Sequence, residues 1–378
     1  MSASAFDVAI VGAGIVGAAC ADACAREGLK VIVIDAGIIA GGATAAGMGH
    51  IVVMDDSEEQ FALTRYSQEL WRALAPELPP DCEFDPCGTI WIAADEEEMA
   101  AVFSKQDFYQ QRGVAVEVLD ELNLAQAEPN LCQGLVGGLR IPDDCVLYSP
   151  CAARFLLARA ERFGAQVQLG KRVVRVTDRG LHLNDGSSIS SLFAVDATGI
   201  SSPELLQGSP VKPRKGHLVI TDRYPGFVRH QLIELGYLKS AHSVDADSVA
   251  FNVQPRQTGQ LLIGSSRQYG ATDGGIDGEI LTRMLERACY YLPGLSKLQA
   301  IRTWTGYRAA TPDKLPLIGP HPVNHQLYVA TGHEGLGITT SLGTARLLVD
   351  QLLDRTPEIS PEPYLPDRFA CGESAWLN

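Results

Sequence analysis

Short apolar runs alternate with a helical pattern at the start of the chain. Residues 6–11 and 30–35 have the continuous hydrophobic character of buried strands, and residues 12–28 between them predict a turn and a helix of small residues. A strand, a helix and a second buried strand in this order are typical of a parallel βαβ unit. The chain therefore opens as an α/β protein.

A second pattern of helices and strands follows, and elements of the first, α/β type return later in the chain. Residues 57–74 predict a helix with Ser57 and Gln60 as a capping box, and residues 84–140 predict short strands and Glu- and Gln-rich helices. Residues 212–311 predict a mainly antiparallel sheet with one long helix at 278–291. Further elements of the first type are predicted at 151–163, 166–169, 173–177, 192–197, 315–318, 326–330 and 338–353.

Because elements of the first type return between segments of the second type, we expect two interleaved domains and a tail. Residues 1–52, 143–211 and 314–356 are expected to form a discontinuous Rossmann-like α/β domain. Residues 53–142 and 212–313 are expected to form a second, mainly antiparallel β-sheet domain of α+β type. Residues 357–378 are a C-terminal tail.

Composition narrows the class of protein. The 378 residues are 46% hydrophobic and 20% charged, as in a folded soluble enzyme. A net charge of -14 disfavours binding to nucleic acid. The nine cysteines include no CxxC pair, so no disulfide framework, zinc site or Fe–S cluster is expected in this chain.

The sequence also predicts a location. No basic leader precedes the first apolar stretch, and the longest charge-free apolar run, residues 8–21, is shorter than a membrane span. We therefore expect a cytoplasmic protein without a transmembrane segment, with any contact at the inner face of the membrane made through partners.

The first turn contains a dinucleotide-binding fingerprint. Gly12, Gly14 and Gly17 fit GxGxxG directly after a strand, and Asp35 ends the next strand. Gly12 is expected to make the tight turn, Gly14 to let the backbone approach a pyrophosphate, and Gly17 to let the helix lie close to the sheet. Asp35 would accept hydrogen bonds from ribose hydroxyls, which argues against NADP but does not separate NAD from FAD.

Two more glycine-rich segments, residues 41–50 and 332–339, indicate a long ligand that touches the backbone at several points. The second segment opens the last predicted helix. The N-terminal dipole of that helix would stabilise negative charge on the ligand.

Together these motifs resemble the D-amino acid oxidase superfamily, which includes glycine oxidase and sarcosine oxidase. The fingerprint, the 44–49 loop, Val173, the 196–199 segment, the 304–319 block and the 332–338 segment follow the family pattern in order along the chain. The 47–51 and 332–340 stretches most resemble the flavoprotein subunits of D-hydroxyproline dehydrogenase and hydrogen cyanide synthase.

The resemblance implies a non-covalent FAD in the Rossmann-like domain and hydride transfer from a substrate α-carbon to flavin N5. The residues expected to hold FAD are Gly12, Gly14, Ile15, Val16, Gly17, Asp35, Ala36, Ala43, Thr44, Ala45, Gly47, Met48, Gly49, Val173, Ala197, Thr198, Gly199, Gly306, Gly332, His333, Glu334, Gly335, Leu336, Gly337, Ile338 and Thr339.

The resemblance also assigns residues to the reaction. Arg308 is expected to bind the substrate carboxylate, because a guanidinium fork matches a carboxylate with two parallel hydrogen bonds. His50, His333 and Tyr307 are further candidates for the catalytic site. Phe251 and Asn252 are expected to line the substrate side.

The electron acceptor is inferred from what two segments lack. Residues 306–308 contain no cysteine for a covalent flavin link, and residues 264–267 contain no lysine where the family's oxygen-activating lysine would fall. This favours a dehydrogenase of a small amino acid, D-proline or 4-hydroxy-D-proline, that passes electrons to partner subunits carrying Fe–S clusters or a second flavin, or to a quinone. The alternatives are an oxygen-using glycine or sarcosine oxidase, a non-catalytic flavin-binding scaffold and a nicotinamide dehydrogenase.

Overall fold

The computed structural model describes residues 5–178, 180–236 and 247–369. The strands are β1 (Phe6–Val11), β2 (Val31–Asp35), β3 (His50–Ile51), β4 (Thr89–Ala93), β5 (Glu117–Asp120), β6 (Gly137–Ile141), β7 (Cys145–Val146), β8 (Gln166–Leu169), β9 (Val173–Thr177), β10 (Gly180–Leu183), β11 (Ser188–Ile189), β12 (Ser191–Asp196), β13 (Lys212–Thr221), β14 (Gln231–Glu234), β15 (Ser248–Pro255), β16 (Leu261–Tyr269), β17 (Ala300–Ala310), β18 (Leu317–Pro320) and β19 (Leu327–Thr331). The helices are α1 (Ile15–Arg26), α2 (Ala43–Ala46), α3 (Glu58–Leu74), α4 (Glu96–Gln111), α5 (Glu121–Ala127), α6 (Ser149–Arg162), α7 (Ser202–Leu205), α8 (Gly278–Tyr291) and α9 (Gly337–Leu352).

The first layer is a six-stranded sheet in the order β18-β19-β12-β1-β2-β8. Its strands are parallel except β18, which pairs antiparallel with β19. Val8 and Ile10 of β1 pack against the helices on one face, whereas Ala9 and Val11 pack against the small β9–β11 sheet on the other. Because both faces are covered, β1 is apolar at nearly every position, which is the pattern that predicted it.

Small side chains set the packing of α1. This helix lies against both α6 and α9 and has fully buried residues at Ala18 and Ala21. Alanines at these positions let neighbouring helices approach closely. The Gly/Ala-rich composition of residues 12–28 therefore reflects helix packing as well as the turn before it.

The second layer is an eight-stranded sheet in the order β17-β13-β16-β15-β14-β4-β6-β5. It is mainly antiparallel, as predicted, with one parallel pair between β14 and β4. One face packs on α8 through a core that includes Leu232, Val253 and Ile263 from the sheet and Met284 and Ala288 from the helix. The predicted fold class is confirmed.

The strands divide between the two sheets along the chain. Those of the six-stranded sheet fall within 1–52, 143–211 and 314–356, and those of the eight-stranded sheet fall within 53–142 and 212–313. The boundaries of the two domains stay a prediction.

Several elements differ from the sequence predictions. Strands β14 and β17 were not predicted, and β18 begins two residues after the predicted start at 315. In β17 the hydrophobic alternation is weak because Trp304, Gly306 and Arg308 on one side line a cavity instead of a core. The expected capping box is half formed, since the Ser57 hydroxyl accepts a hydrogen bond from the backbone N–H of Gln60 at 3.1 Å.

Two further observations concern the expected absence of a transmembrane segment and of a disulfide framework. No helix in the described part of the chain is both long enough and apolar enough to cross a lipid bilayer. The cysteines at the described positions are all free thiols.

A buried ion pair joins α6 to α1. Arg159 donates Nε and Nη2 to the two carboxylate oxygens of Asp22, each at 2.7 Å, and Nη1 to Glu77 at 3.0 Å. The side chains of Arg159 and Asp22 are only 8% and 5% exposed. Removal of one partner would leave the other charge buried without compensation.

We predict that Arg159→Met lowers the free energy of unfolding by about 3–5 kcal/mol. The matched control is Arg72→Met, which breaks a 2.8 Å pair with Asp143 whose side chains are 48% and 32% exposed, and it should cost about 1 kcal/mol or less. Urea denaturation of the FAD-loaded proteins, followed by circular dichroism, measures both changes. Equal losses in the two variants would contradict the role given to the buried pair.

Candidate functional site

A cavity of about 1030 Å³ lies between the six-stranded and the eight-stranded sheets. Its lining on one side comes from the carboxyl ends of β1, β2 and β12 and the segments that follow them, together with residues 41–48, His50 and residues 332–338. On the other side it is lined by one face of the eight-stranded sheet. Open parallel sheets bind ligands at this edge of their strands.

The three fingerprint glycines meet the demands expected of them. Gly12 has φ +112°, and a Cβ there would lie 2.5 Å from the carbonyl oxygen of Ala197. A Cβ on Gly17 would lie 2.0 Å from the Gly12 carbonyl oxygen, so Gly17 is a packing position and does not line the cavity. Gly14 lines the cavity, and a Cβ there would meet only the Thr44 hydroxyl within 4 Å.

Asp35 closes the same end of the cavity. One of its carboxylate oxygens accepts the N–H of Ala13 and the other accepts the N–H of Gly37, both at 2.7 Å. Each carboxylate oxygen has a second lone pair, so Asp35 can bind a ribose hydroxyl while it holds the turn. The acid at the end of β2 therefore holds the turn and keeps lone pairs free toward the cavity.

Residues 41–50 form the floor beside the fingerprint. The Thr44 hydroxyl accepts the N–H of Ile15 at 3.0 Å, which ties α2 to the start of α1. Gly49, with φ +97°, does not line the cavity, because a Cβ there would lie 1.9 Å from the carbonyl oxygen of Leu147. It permits the close pairing of β3 with β7.

Residues 332–339 form a third contact surface before α9. Glu334 pairs with Arg214 of β13, and the two side chains are 11% exposed each. The first turn of α9 contains no acidic residue, and Gly337 and Ile338 at its start line the cavity, so the positive end of the helix dipole lies at the cavity. Thr339 lies behind the lining, where its hydroxyl donates to the carbonyl of His50 at 2.9 Å.

The two predicted histidines line the cavity and are held neutral. Burial, together with the positive charge of Arg308, lowers the pKa of His50 to about 4. Burial lowers the pKa of His333 to about 3, and a ring nitrogen of His333 lies 3.0 Å from the Thr344 hydroxyl. At neutral pH both rings are therefore uncharged, and the unprotonated nitrogen of each ring can accept a hydrogen bond.

Arg308 lies on β17 with its side chain across the neighbouring strands. A Cβ at Gly216 on β13 would lie 2.5 Å from Arg308 Nη1, so glycine at that position makes room for the guanidinium. Nη1 donates to the carbonyl of Ser266 on β16 at 3.0 Å. The guanidinium thus reaches two strands into the sheet and lines the cavity.

Asn252 lines the cavity as predicted, but Phe251 does not. Phe251 is fully buried on the opposite face of β15, where its ring stacks on Tyr291 of α8 with centroids 4.5 Å apart. Neighbouring residues of a strand point to opposite faces, so only one of this pair could face the substrate.

Tyr307 is also engaged elsewhere. It contributes to the cavity lining, but its hydroxyl donates to the carbonyl of Asp273 at 2.5 Å. The adjacent Lys215 on β13 contacts the carboxylate of the same Asp273 at 3.2 Å. The hydroxyl of Tyr307 therefore points away from Arg308.

Of the remaining predicted cofactor residues, those that line the cavity are Ile15, Val16, Ala36, Ala43, Ala45, Gly47, Met48, Val173, Ala197, Thr198, Gly199, Gly306, Gly332, Gly335, Leu336, Gly337 and Ile338. Their individual contacts with FAD stay predictions.

Several cavity-lining side chains were missed by the sequence analysis. They are Trp91 on β4, Gln231 on β14, and Ser265 and Arg267 on β16. For Gln231 the local sequence has only two consecutive apolar residues, Leu232 and Ile233, and gives no strand pattern. Only the strand β14 assigns Gln231 to a face.

The residues present fit a flavin dinucleotide. Gly14 leaves an open cradle at the start of α1, whose first turn contains no acidic residue, and α9 presents a second such helix end to the same cavity. No cysteine at a described position lines the cavity, in agreement with non-covalent binding.

Comparison with known proteins agrees with this class of site. Residues 7–351 match the family model described as "FAD dependent oxidoreductase". Because that match spans most of the chain, the protein belongs to this family. The resemblance inferred from the sequence is confirmed, and FAD is the cofactor.

Individual relatives match over nearly their whole length. The chain is 27% identical to the glycine oxidase of Pseudomonas aeruginosa, over 95% of this chain and 98% of that protein. It is 26% identical to the hydrogen cyanide synthase subunit HcnC of Pseudomonas protegens, over 97% and 96% of the two chains. The crystal structure of glycine oxidase from Geobacillus kaustophilus matches with a TM-score of 0.84 at 26% identity, over 95% and 98%. The protein is an FAD-dependent oxidoreductase.

We predict that Gly14→Val lowers FAD affinity at least about tenfold, because branched carbons would enter the cradle that the pyrophosphate approaches. Fluorescence titration of the FAD-depleted protein measures the dissociation constant, and circular dichroism reports the fold. The control is Gly278→Ala at the exposed start of α8, where a Cβ would meet no atom within 4 Å. An unchanged FAD affinity in Gly14→Val would remove Gly14 from the cofactor site.

Proposed function

We propose that this protein dehydrogenates a small amino acid, D-proline or 4-hydroxy-D-proline, to the imine and passes the electrons to a partner subunit or a quinone. One observation carries the proposal: the Arg308 guanidinium lies inside the cavity, on the wall opposite the dinucleotide fingerprint. A carboxylate bound there would place the rest of a small amino acid between Arg308 and the glycine-rich wall.

The setting of Arg308 suits carboxylate binding. The hydrogen bond to Ser266 orients the guanidinium, and Gly216 beneath it leaves space for its planar group. A planar fork of N–H donors binds a carboxylate with two parallel hydrogen bonds and so fixes the position of the α-carbon. Arg308 is half-buried, so its charge is less screened by water than that of an exposed arginine.

When bound, FAD supplies the acceptor for the hydride that leaves the α-carbon. The substrate loses the α C–H bond with its electron pair, the nitrogen lone pair forms the C=N bond, and an N–H proton departs. His50 is neutral and lies within the electrostatic reach of Arg308, so its ring can accept a hydrogen bond from the amine N–H, while its lowered pKa disfavours the protonated ring. His333, also neutral, adds no positive charge beside the substrate amine.

The surroundings of β16 support transfer of the electrons to an acceptor other than oxygen. Residues 264–267 place Ser265 and Arg267 at the cavity, and the lining lysines, Lys171 and Lys314, lie outside the eight-stranded sheet. No group of three or more potential metal ligands occurs among the described residues, so an Fe–S relay would lie on another polypeptide. The similarity to HcnC, which is named as a subunit, supports a partner of that kind.

A second candidate function is an oxygen-using amino acid oxidase. The full-length similarity to glycine oxidases favours it. The two candidates share the site and the reductive chemistry and differ in the fate of the electrons. Rapid peroxide formation in air by the isolated protein would select the oxidase.

We predict that 4-hydroxy-D-proline or D-proline bleaches the flavin absorbance of the oxygen-free holoprotein, and that Arg308→Ala lowers the second-order rate of bleaching at least about thirtyfold. This corresponds to about 2–5 kcal/mol of lost transition-state stabilisation for a buried carboxylate partner. The control is Arg175→Ala on β9, an exposed arginine outside the cavity lining.

Stopped-flow absorbance in the absence of oxygen measures these rates. A flavin that no small amino acid reduces would contradict the proposed function and favour a scaffold. An unchanged rate in Arg308→Ala would remove this residue from the site.

A further inference from the structure

Part of the cavity wall is made of buried polar atoms without hydrogen-bond partners. Both amide atoms of Gln231, Oδ1 of Asn252 and Nε1 of Trp91 have no partner within the described structure. The three residues are 1%, 7% and 1% exposed, and all three line the cavity. We call this group the amide subsite.

The strand register places the amide subsite in one patch. Ile233 on β14 pairs with Trp91 on β4 at one side and with Asn252 on β15 at the other. Gln231 is two residues before Ile233 and therefore faces the same way. Three adjacent strands thus present these polar groups on the cavity face, while the opposite face is the apolar core under α8.

Unpartnered polar atoms in such a position need an explanation. A buried donor or acceptor left without a partner costs about 1–3 kcal/mol. Few native structures keep several such atoms together unless a ligand or ordered water satisfies them. Four of these atoms converge on a cavity that already contains a carboxylate-binding arginine, which points to a polar group of the substrate.

The distance to Arg308 fits a small amino acid. The guanidinium contacts β16 at Ser266, and β15 and β14 are the next two strands in the sheet. Neighbouring strands are about 5 Å apart and residues along a strand rise about 3.4 Å each. Asn252 pairs with Gly264, two residues from Ser266, so Asn252 lies roughly 8 Å from the guanidinium contact at the level of the backbone, and Gln231 and Trp91 lie farther along the same face. A small amino acid with its carboxylate on Arg308 would therefore extend its side chain toward Asn252 first and the rest of the amide subsite beyond it.

We propose that the amide subsite binds a neutral hydrogen-bonding group, a hydroxyl or a carboxamide, on the substrate side chain. The subsite offers donors at Gln231 Nε2 and Trp91 Nε1 and acceptors at Gln231 Oε1 and Asn252 Oδ1. A hydroxyl donates one hydrogen bond and accepts up to two, and a carboxamide donates two and accepts two, so either pairs with both kinds of group in this mixed set, whereas a carboxylate only accepts and would leave the acceptors unpaired. The proposal rests on the proposed function and names its substrate class: hydroxylated or amide-bearing small amino acids over their apolar analogues.

Substrates that differ by one hydroxyl test the proposal. The holoprotein should reduce its flavin with 4-hydroxy-D-proline at least about tenfold more efficiently than with D-proline, and with D-serine more efficiently than with D-alanine. A site built to bind a hydroxyl strongly rejects the analogue that lacks it, because its polar groups are then left unpaired.

The variant Gln231→Leu should lower the efficiency for 4-hydroxy-D-proline about five- to hundredfold and leave or raise that for D-proline, so the preference disappears. Gln231→Met retains the side-chain length and provides a second test if the leucine variant loses FAD. The control is Gln257→Leu, since Gln257 lies exposed on the turn between β15 and β16, outside the cavity lining. Equal efficiencies for the two prolines in the unmodified holoprotein, or an unchanged preference in both Gln231 variants, would overturn the proposal.

Calorimetric titration separates this proposal from the proposed function. If neither proline reduces the flavin, yet the hydroxylated one binds more tightly and loses that advantage in Gln231→Leu, the dehydrogenase assignment fails and the amide subsite stands. If flavin is reduced by both prolines equally and both bind equally, the dehydrogenase assignment stands and the subsite fails.

Discussion

One face of the eight-stranded sheet is apolar because it packs on α8, and the other face presents polar groups to the cavity. The candidate site depends on this difference. Side chains along each strand alternate between the core under α8 and the cavity. On the core side the sheet contributes Phe251, Val253 and Leu232. On the cavity side the same strands contribute Asn252 and Gln231. A shift of one residue in any of these strands would bury the polar set and expose the apolar one.

The six-stranded sheet supplies the other wall by a different route. Its central strands are buried on both faces, so the residues that line the cavity come from the turns at their carboxyl ends instead of from side chains along the strands. The Gly12 turn, Asp35 and the start of α9 act mainly through backbone N–H groups and one carboxylate. One wall thus suits a dinucleotide, and the facing wall, with Arg308, suits a small carboxylate substrate.

The cofactor wall could be predicted from the sequence because its requirements are local. Gly12, Gly14 and Gly17 stand at fixed spacing after an apolar strand, and Asp35 ends the next one. The substrate wall was harder, since its residues come from strands far apart in sequence. Arg308 was found through a resemblance, but β17 around it was not predicted because its cavity-facing residues break the apolar alternation.

Phe251 and Asn252 show most directly what could not be predicted from the sequence alone. Both were expected to face the substrate, although strand geometry allows only one of two neighbours to do so. Gln231 was missed for a related reason, because a four-residue strand paired in parallel with the distant β4 leaves no local pattern. Its role became visible only when the register placed it beside Trp91 and Asn252.

The central claim is that the substrate lies between the two walls with its carboxylate on Arg308. A crystal structure of the FAD-loaded protein with pyrrole-2-carboxylate, a planar analogue that cannot be dehydrogenated to the imine, tests it most directly. The account predicts a carboxylate within hydrogen-bond distance of the Arg308 guanidinium and a ring that extends along the sheet toward Asn252. A ligand bound outside the cavity, or with its carboxylate on another residue, would contradict it.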